Sequence, residues 1–256
     1  MSDWNAEQYL KFKKDRTKPS MDLSNKIDIE NPKNIIDIGC GPANSTAVLK
    51  NKFPNAYVLG VDSSENMIST AKKNYPDIDF MLFDAAKDFE RLDKKFDVVF
   101  SNACIQWVPD HHKLIPNMMS ILRDGGMLAV QIPITVEQDM HRVKAAVLSK
   151  PYWNDRLSGA RTVYTLNDYE YFDILSGCSS DFEIWKTVYY HRLPSHQSVL
   201  EWYRSTGLKP YFDKLNDRDK ALFEQDILEE IAKHFPVRQN GEIIFKFPRL
   251  FFTAKK

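Results

Sequence analysis

The sequence has few cysteines, and their placement excludes two kinds of cross-linked fold. Cys40, Cys104 and Cys178 are odd in number and widely separated. Such spacing gives neither a disulfide framework nor a clustered metal site. The pattern predicts a reducing compartment, which we take to be the cytoplasm.

An excess charge of either sign is also missing. Lys+Arg and Asp+Glu both number 35, so the formal net charge is zero. Proteins that bind phosphate backbones are typically basic overall, and we therefore expect no nucleic-acid partner. A neutral total still leaves room for a local basic pocket.

Long apolar runs are absent as well. No stretch approaches the length of a membrane span, and Ser-Asp-Trp-Asn after Met1 lacks the basic and apolar regions of a signal peptide. We expect no membrane association, and nothing indicates an obligate protein partner. The hydrophobic share of 43% over 256 residues is that of a globular protein with a substantial core.

The first half of the chain alternates buried strands with helices. This alternation predicts βαβ units, a mostly parallel sheet and a doubly wound α/β fold. The predicted strands are 34–38, 56–62, 79–82, 96–101 and 127–131, and the predicted helices are 45–52, 63–74 and 112–122.

After Pro133 the pattern becomes helical or irregular, and it is rich in Tyr and Trp. A strand over 182–190, a long helix over 217–234 and a last strand within 241–253 follow, and the two late strands are expected to pair antiparallel. We predict one domain over 1–256. Its parts are a cofactor-binding core at about 30–133, lid and acceptor-binding segments at about 1–29 and 134–240, and a final strand at about 241–256.

The strongest local signal is the turn Asp37-Ile38-Gly39-Cys40-Gly41-Pro42 after the first strand. Its glycines permit a sharp turn and a close approach to a ligand, next to the free amides of a helix start. Asp62, Asp84 and Asn102 end or follow the next three strands. All of these residues would lie at the carboxyl ends of parallel strands, where ligands bind in open α/β sheets.

Dinucleotides and sulfonium cofactors both bind at this edge of such sheets, and the turn favours the sulfonium class. A dinucleotide fingerprint needs a third glycine, but the register here gives Asn44, with Ala43 beside it. The carboxylate of Asp37 would repel a pyrophosphate, whereas it suits the cationic methionine part of a sulfonium cofactor.

These motifs resemble the class I S-adenosylmethionine-dependent methyltransferases in order and spacing. The resemblance implies a seven-stranded Rossmann-like sheet with helical acceptor-binding insertions. It places Gly39 and Gly41 at the methionine part of the cofactor, Asp62 at the ribose and Asn102 beneath the cofactor. Ala43 departs from the family pattern, because many relatives have the third glycine there. The predicted cofactor-binding set is Asp37, Gly39, Gly41, Asp62, Ser63, Met67, Asp84, Ala85 and Asn102, with Asp84 and Ala85 near the adenine.

Rarer strings outside these motifs resemble the trans-aconitate 2-methyltransferase family over essentially the whole chain. They include Ile105-Gln106-Trp107-Val108-Pro109-Asp110-His111 and Phe247-Pro248-Arg249-Leu250-Phe251. The resemblance implies a small carboxylic acid as acceptor, which needs cations and hydroxyls to hold it. The predicted acceptor-binding residues are Tyr9, Arg16, Trp107, Tyr190, His191, His196 and Arg249.

Methyl transfer to a carboxylate needs no general base, because the nucleophile is already ionised at neutral pH. We therefore predict a mechanism of proximity and orientation, with no catalytic triad and no metal. Four alternatives stay open at this point: a different small acceptor, a nucleic-acid methyltransferase, a non-catalytic protein that binds S-adenosylmethionine, and a dehydrogenase.

Overall fold

A computed structural model describes residues 13–160, 163–204 and 206–256. Seven strands form one sheet, and within it they lie in the order β3-β2-β1-β4-β5-β7-β6. The strands are β1 Asn34–Ile38, β2 Tyr57–Asp62, β3 Asp79–Leu82, β4 Phe96–Asn102, β5 Leu122–Pro133, β6 Phe182–Leu193 and β7 Ile243–Lys255.

Helices connect these strands and follow the predicted alternation. The described α-helices are α1 Lys13–Ser24, α2 Asn44–Lys52, α3 Glu65–Asn74, α4 His111–Ser120, α5 Asp139–Leu148, α6 Pro151–Leu157, α7 Asp168–Cys178, α8 His196–Arg204, α9 Lys209–Phe212 and α10 Asp217–His234. None of the described helices is long and apolar enough to cross a membrane.

The first five strands are parallel, and β7 runs against them. Parallel registers join β3 to β2, β2 to β1, β1 to β4 and β4 to β5. Gly125 N–H donates to the Lys256 carbonyl, and Ile134 N–H donates to the Pro248 carbonyl, so β7 is antiparallel to β5. The doubly wound, mostly parallel seven-stranded sheet is therefore confirmed. The two late strands β6 and β7 are neighbours, and bonds from Lys255 to Asp181 and from Arg192 to Glu242 show that they pair antiparallel, as expected.

Local sequence explains where the elements begin and end. The runs Ile35-Ile36 and Val98-Val99 are wholly buried, as central strands covered on both faces require. Helix α3 begins at Glu65, two residues later than predicted, because the Ser64 side chain accepts the N–H of Met67 as an N-cap.

The chain order reverses between β1 and β4. From β1 it runs outward through β2 and β3, and then it returns to the other side of β1 as β4. In open α/β sheets this reversal opens a crevice at the carboxyl ends of the strands. The glycine turn after β1 begins at that crevice.

The described residues form two compact units. The larger contains 13–132, 163–186 and 250–256, and the smaller contains 133–160, 187–204 and 206–249. The boundary at Pro133 coincides with the predicted end of the cofactor-binding core. The organisation into one domain, with a lid and acceptor-binding segments, stays a prediction.

The smaller unit has an aromatic core. The rings of Trp202 and Phe245 lie 5.4 Å apart between centroids, and those of Phe245 and Phe247 lie 5.3 Å apart. Edge-on geometry at these distances is favourable for aromatic pairs. This cluster surrounds the polar groups described below.

Candidate functional site

In the turn after β1, residues 39 and 41 are glycines for different structural reasons. Gly39 has φ +75° and Gly41 has φ +55°, both in the left-handed region. A Cβ on Gly39 would lie 2.0 Å from Cys104 Sγ, so this position has to be glycine for packing. A Cβ on Gly41 would meet no described atom within 4 Å. Gly41 therefore borders open space, as a glycine that approaches a ligand does.

Asp62, at the end of β2, organises the same turn. Its Oδ2 accepts the N–H of Gly41 at 2.9 Å, and its Oδ1 accepts the N–H of Ser64 at 2.9 Å. The carboxylate is half-buried. The position fits hydroxyl groups of a ribose.

Asp37 is completely buried at the end of β1. Its Oδ2 accepts hydrogen bonds from the hydroxyls of Ser45 and Thr46, at 2.6 and 2.7 Å, while its Oδ1 is buried and has no hydrogen-bond partner among the described residues. Burial raises the pKa of this carboxyl to about 6; the two hydroxyls lower it, and the charge of Asp62 raises it further. A cationic group nearby would stabilise its ionised form.

The position of the missing third glycine is strained. Ala43 has φ +74° and is wholly buried, directly before α2. An alanine in this conformation costs about 1 kcal/mol relative to glycine. At the next residue, Asn44, both side-chain polar atoms are buried and neither has a partner within the described chain.

Asp84, which follows β3, stabilises a local turn. Asp84 Oδ1 accepts the N–H of Ala86 at 3.0 Å, and its carboxylate lies 3.4 Å from Lys87 Nζ. Ala85, beside it, is buried. These contacts hold the loop that is predicted to meet the adenine.

Two members of the predicted cofactor-binding set lie at the start of α3. Ser63 is exposed, and Met67 is buried in the core. Ser64 caps the helix. Cofactor contacts of Ser63 and Met67 stay predictions.

Asn102 ends β4 at the same edge of the sheet. Its Oδ1 is buried and takes no hydrogen bond from any described residue. Beside it, the Ser101 hydroxyl donates to the Ile38 carbonyl and joins the ends of β4 and β1. An amide oxygen beneath the predicted cofactor is thus available for a donor.

The turn that carries Trp107 is fixed by a buried histidine. Trp107 is half-buried in the 3₁₀ turn Ile105–Trp107. The ring of His111 bonds the Ile105 carbonyl through Nε2 at 2.8 Å and the hydroxyl of Tyr171 through Nδ1 at 2.7 Å. Sequence reasoning did not find the role of His111.

The smaller unit brings two predicted acceptor-binding residues to one aromatic cluster. His191 is buried, with its ring 4.7 Å from that of Trp202 and 6.4 Å from that of Phe247. Arg249 is 5% exposed, and its guanidinium carbon lies 4.4 Å from the centroid of the Phe247 ring. Phe247 therefore links the imidazole and the guanidinium, the two groups predicted to hold a carboxylate.

The other predicted acceptor-binding residues in the smaller unit are Tyr190 and His196. Tyr190 is 64% exposed, on the face of β6 opposite His191. His196 Nε2 donates to the Phe235 carbonyl at 2.7 Å, so any acceptor contact would use Nδ1. Tyr9 lies outside the described residues, and for Arg16 the structure describes the backbone alone.

The structure also shows polar partners that have no signal in the sequence. Ser45 and Thr46 follow Asp37 by 8 and 9 residues, and only the helix start after the glycine turn hints at their role. Gln138 and Tyr203 are 65 residues apart and share a buried hydrogen bond that no local pattern predicts.

Comparison with known proteins agrees with this geometry. The model of a family described as "Methyltransferase domain" matches residues 35–126. Trans-aconitate 2-methyltransferase of Escherichia coli O139:H28 is 36% identical over 260 aligned residues, which cover 100% of this chain and 99% of that protein. The match therefore includes both units.

Solved structures share the fold at low identity. The Bacillus YcgJ protein has a TM-score of 0.61 at 15% identity, covering 93% of this chain and 99% of its own. Phosphoethanolamine N-methyltransferase 2 of Haemonchus contortus, solved in complex with S-adenosyl-L-methionine, has a TM-score of 0.57 at 18% identity, covering 93% of this chain and 52% of its own.

Proposed function

The chain belongs to the trans-aconitate 2-methyltransferase family, and on that premise we propose that it methylates one carboxylate of trans-aconitate. The methyl donor is S-adenosyl-L-methionine. The products are the monomethyl ester and S-adenosylhomocysteine. The observation that carries the proposal is full-length identity of 36%, which extends through the segments outside the cofactor motifs.

The residues at the carboxyl edge of the sheet fit the cofactor. Gly41 borders open space, and Asp62 presents a half-buried carboxylate beside it. Asp37 and Asn102 each have a buried oxygen that no described residue bonds. We assign Gly41 and Asp37 to the methionine part, Asp62 to the ribose hydroxyls and Asn102 to the floor of the site.

When bound, the cofactor supplies a methyl group activated by the positive sulfur. Held by Asp37, Gly41 and Asp62, it would supply this methyl group to a carboxylate oxygen and would leave as the neutral thioether S-adenosylhomocysteine. No proton moves, because the carboxylate is ionised at neutral pH. The protein has to align the two groups and exclude water, which contributes up to about 7–11 kcal/mol in favourable cases.

Arg249 and His191 are suited to bind the acceptor. A buried guanidinium binds a carboxylate through two parallel hydrogen bonds, and an imidazole adds a further donor. Both side chains are buried in the aromatic cluster of the smaller unit. We assign them to acceptor carboxylates.

A cytoplasmic location and a function without an obligate protein partner complete the proposal. Cys40, Cys104 and Cys178 are all thiols rather than disulfides, which suits a reducing compartment.

The test is transfer of labelled methyl from S-adenosylmethionine to trans-aconitate, cis-aconitate and citrate, with mass spectrometry of the product. Selective formation of the trans-aconitate monomethyl ester is expected. His191→Ala and Arg249→Met should raise the KM for the acid and leave the Kd for S-adenosylhomocysteine within about twofold. Labelling of a different acid would reassign the acceptor, and unchanged kinetics in both variants would remove these residues from the acceptor site.

A further inference from the structure

The aromatic cluster of the smaller unit contains a buried polar pair with no role so far. The hydroxyl of Tyr203 donates to Gln138 Oε1 at 2.6 Å. Each residue is 4% exposed. Burial of such groups is unfavourable unless their hydrogen bonds are satisfied, so the use of each donor and acceptor needs to be accounted for.

The bond from Tyr203 determines which way the Gln138 amide faces. Because the hydroxyl donates to Oε1, the two N–H groups of Nε2 point away from Tyr203. Nε2 is buried and meets no acceptor within the described residues. A buried donor without an acceptor is unfavourable. The side chain is thus arranged to donate to an acceptor that these residues do not supply.

The ring of Phe247 contacts both Tyr203 and Arg249: its centroid lies 6.3 Å from that of the Tyr203 ring and 4.4 Å from the guanidinium carbon. The N–H of Ile134, four residues before Gln138, donates to the carbonyl of Pro248 at 3.0 Å, and Arg249 is the next residue. The segment from Ile134 to Gln138 is therefore tied to the strand that carries the guanidinium.

Beyond the effect of burial, the pKa of the Tyr203 hydroxyl also reflects the nearby charge of Arg249. Burial raises the pKa of its hydroxyl well above the ordinary value; the charge of Arg249 lowers it, by more than the charge of Asp139 raises it. Gln138, Tyr203 and Arg249 form one buried group, which we call the donor cluster.

The donor cluster matches one ligand chemistry. A guanidinium and an amide N–H₂ are both donors, and a planar group with two acceptor oxygens accepts from both. A carboxylate supplies both oxygens and the negative charge. Aromatic walls formed by Trp202 and Phe247 lower the local dielectric and strengthen such bonds.

Resting on the proposed function, we propose that Gln138 Nε2 and Arg249 bind a carboxylate of the acceptor that is not methylated, and that Tyr203 is a positioning residue. Tyr203 fixes the amide so that its donors face the acid. The donor cluster thereby distinguishes a tricarboxylate from a dicarboxylate. The matching dicarboxylate is mesaconate (methylfumarate), which is trans-aconitate with a methyl group in place of its CH2–carboxylate arm and which keeps the central carboxyl group.

The experiment compares three variants with the wild type on both acids. Gln138→Met removes the donors at similar size, Gln138→Glu places an acceptor where the donors were, and Tyr203→Phe removes the positioning hydroxyl. Tyr152→Phe is the matched control, because its hydroxyl also donates to a side chain of the smaller unit, Asp219 at 2.8 Å. Thermal stability and the Kd for S-adenosylhomocysteine are measured on every variant.

Both Gln138 variants should raise the KM for trans-aconitate by about 10–100-fold, the value of one hydrogen bond to a charged group. Tyr203→Phe should raise it by about 3–10-fold with kcat within about twofold, because only the orientation of the amide is lost. The preference for trans-aconitate over mesaconate should fall in parallel, and Tyr152→Phe should match the wild type. If Gln138→Glu does not fold, the KM of Gln138→Met for trans-aconitate is the deciding measurement.

Unchanged preference between the two acids in folded Gln138→Met and Tyr203→Phe would overturn the inference while the proposed function stands. If the wild type methylates neither acid, titration calorimetry with trans-aconitate in the presence of S-adenosylhomocysteine separates the two ideas. Binding that Gln138→Met abolishes would support the donor cluster and overturn the proposed function. Absence of binding to the wild type would overturn both.

Discussion

Gly41 and Asp62 are joined by a hydrogen bond of 2.9 Å from the glycine N–H to the carboxylate Oδ2. The same side chain holds Ser64 through its other oxygen. One carboxylate therefore fixes the glycine turn after β1 and the start of α3, and it lies where we assign the ribose. Its structural role and its binding role are inseparable.

Asp62→Ala should weaken both binding and stability. Loss of the carboxylate leaves two backbone N–H groups without their acceptor, which costs about 1–3 kcal/mol of unfolding free energy. The affinity for S-adenosylhomocysteine should fall by about 10–100-fold, as for the loss of hydrogen bonds to a charged group. Titration calorimetry and denaturant unfolding measure the two effects. Asp77→Ala, at an exposed position, is the control, and unaltered affinity in Asp62→Ala would remove the ribose assignment.

The two glycines of the turn should respond in opposite ways to alanine. Gly39→Ala puts a Cβ against Cys104, at 2.0 Å from Sγ and 2.2 Å from Cβ, so the turn has to move and we expect a loss of stability above about 3 kcal/mol. Gly41→Ala meets no described atom within 4 Å and should cost only about 1 kcal/mol of backbone strain, while its methyl enters the assigned cofactor space. Melting temperature and cofactor affinity separate the pair. Equal binding losses with equal stabilities would contradict the assignment of Gly41.

The sheet and its edge were predictable because they depend on local patterns. Buried runs such as 34–38 and 96–101, separated by helices, specify a parallel sheet, and Asp62 had to fall at its carboxyl edge. Strand boundaries were harder to predict: β5 covers Leu122–Pro133, although only 127–131 was predicted. Asp124 and the adjacent glycines suggest a turn there, but the register with β4 passes from Leu122 to Met127 across an irregularity. Gly125 and Gly126 bond to Lys256, directly after β7, and β5 continues through them.

The acceptor side was less predictable because its contacts join distant parts of the chain. His191 and Arg249 were found through rare strings, and they do reach one cluster. Gln138 and Tyr203 were missed, since a hydrogen bond between residues 65 positions apart has no periodicity. Tyr190 directly precedes His191 in β6, but successive residues of a strand face opposite sides, and Tyr190 is exposed.

Asp37→Asn should stabilise the protein at neutral pH in the absence of cofactor. The pKa of the folded carboxyl is raised to about 6 from an ordinary 3.8, with burial as the main cause. Its contribution to stability is therefore fully present below pH 3.8 and is lost as the pH rises to about 6. Above pH 6 the variant should be more stable than the wild type by about 1–3 kcal/mol.

Denaturant unfolding of both proteins between pH 4 and 7.5 measures this difference, which should grow with pH and then level off above about 6. Cofactor affinity should change the other way. The neutral amide of the Asp37→Asn variant cannot offer a negative charge to the methionine ammonium, so S-adenosylhomocysteine should bind more weakly to the more stable variant. A stability difference that does not depend on pH would show that the carboxyl is not perturbed.

The contact between His111 and Tyr171 gives the fold a second pH dependence, of the opposite sign. The Ile105 carbonyl can only accept, so Nε2 of His111 carries the proton and Nδ1 accepts from the Tyr171 hydroxyl. Burial lowers the pKa of the ring below its ordinary 6.5, against the raising effect of the backbone carbonyls. Its contribution is thus present above pH 6.5 and is lost as the pH falls through the lowered value.

His111→Gln retains a donor and an acceptor but cannot take up a proton, so the difference in unfolding free energy between wild type and variant should shrink as the pH falls from 7.5 to 5.5. Tyr171→Phe should cost about 1–3 kcal/mol at pH 7.5, because Nδ1 loses its donor. This pair holds the turn that carries Trp107, so both variants should loosen that turn. The fluorescence emission spectrum of Trp107 measures this effect in a protein whose other four tryptophans are replaced. A difference between wild type and His111→Gln that stays constant with pH would mean that the ring titrates alike in the folded and unfolded chain, and the assignment of a neutral, buried imidazole would then be wrong.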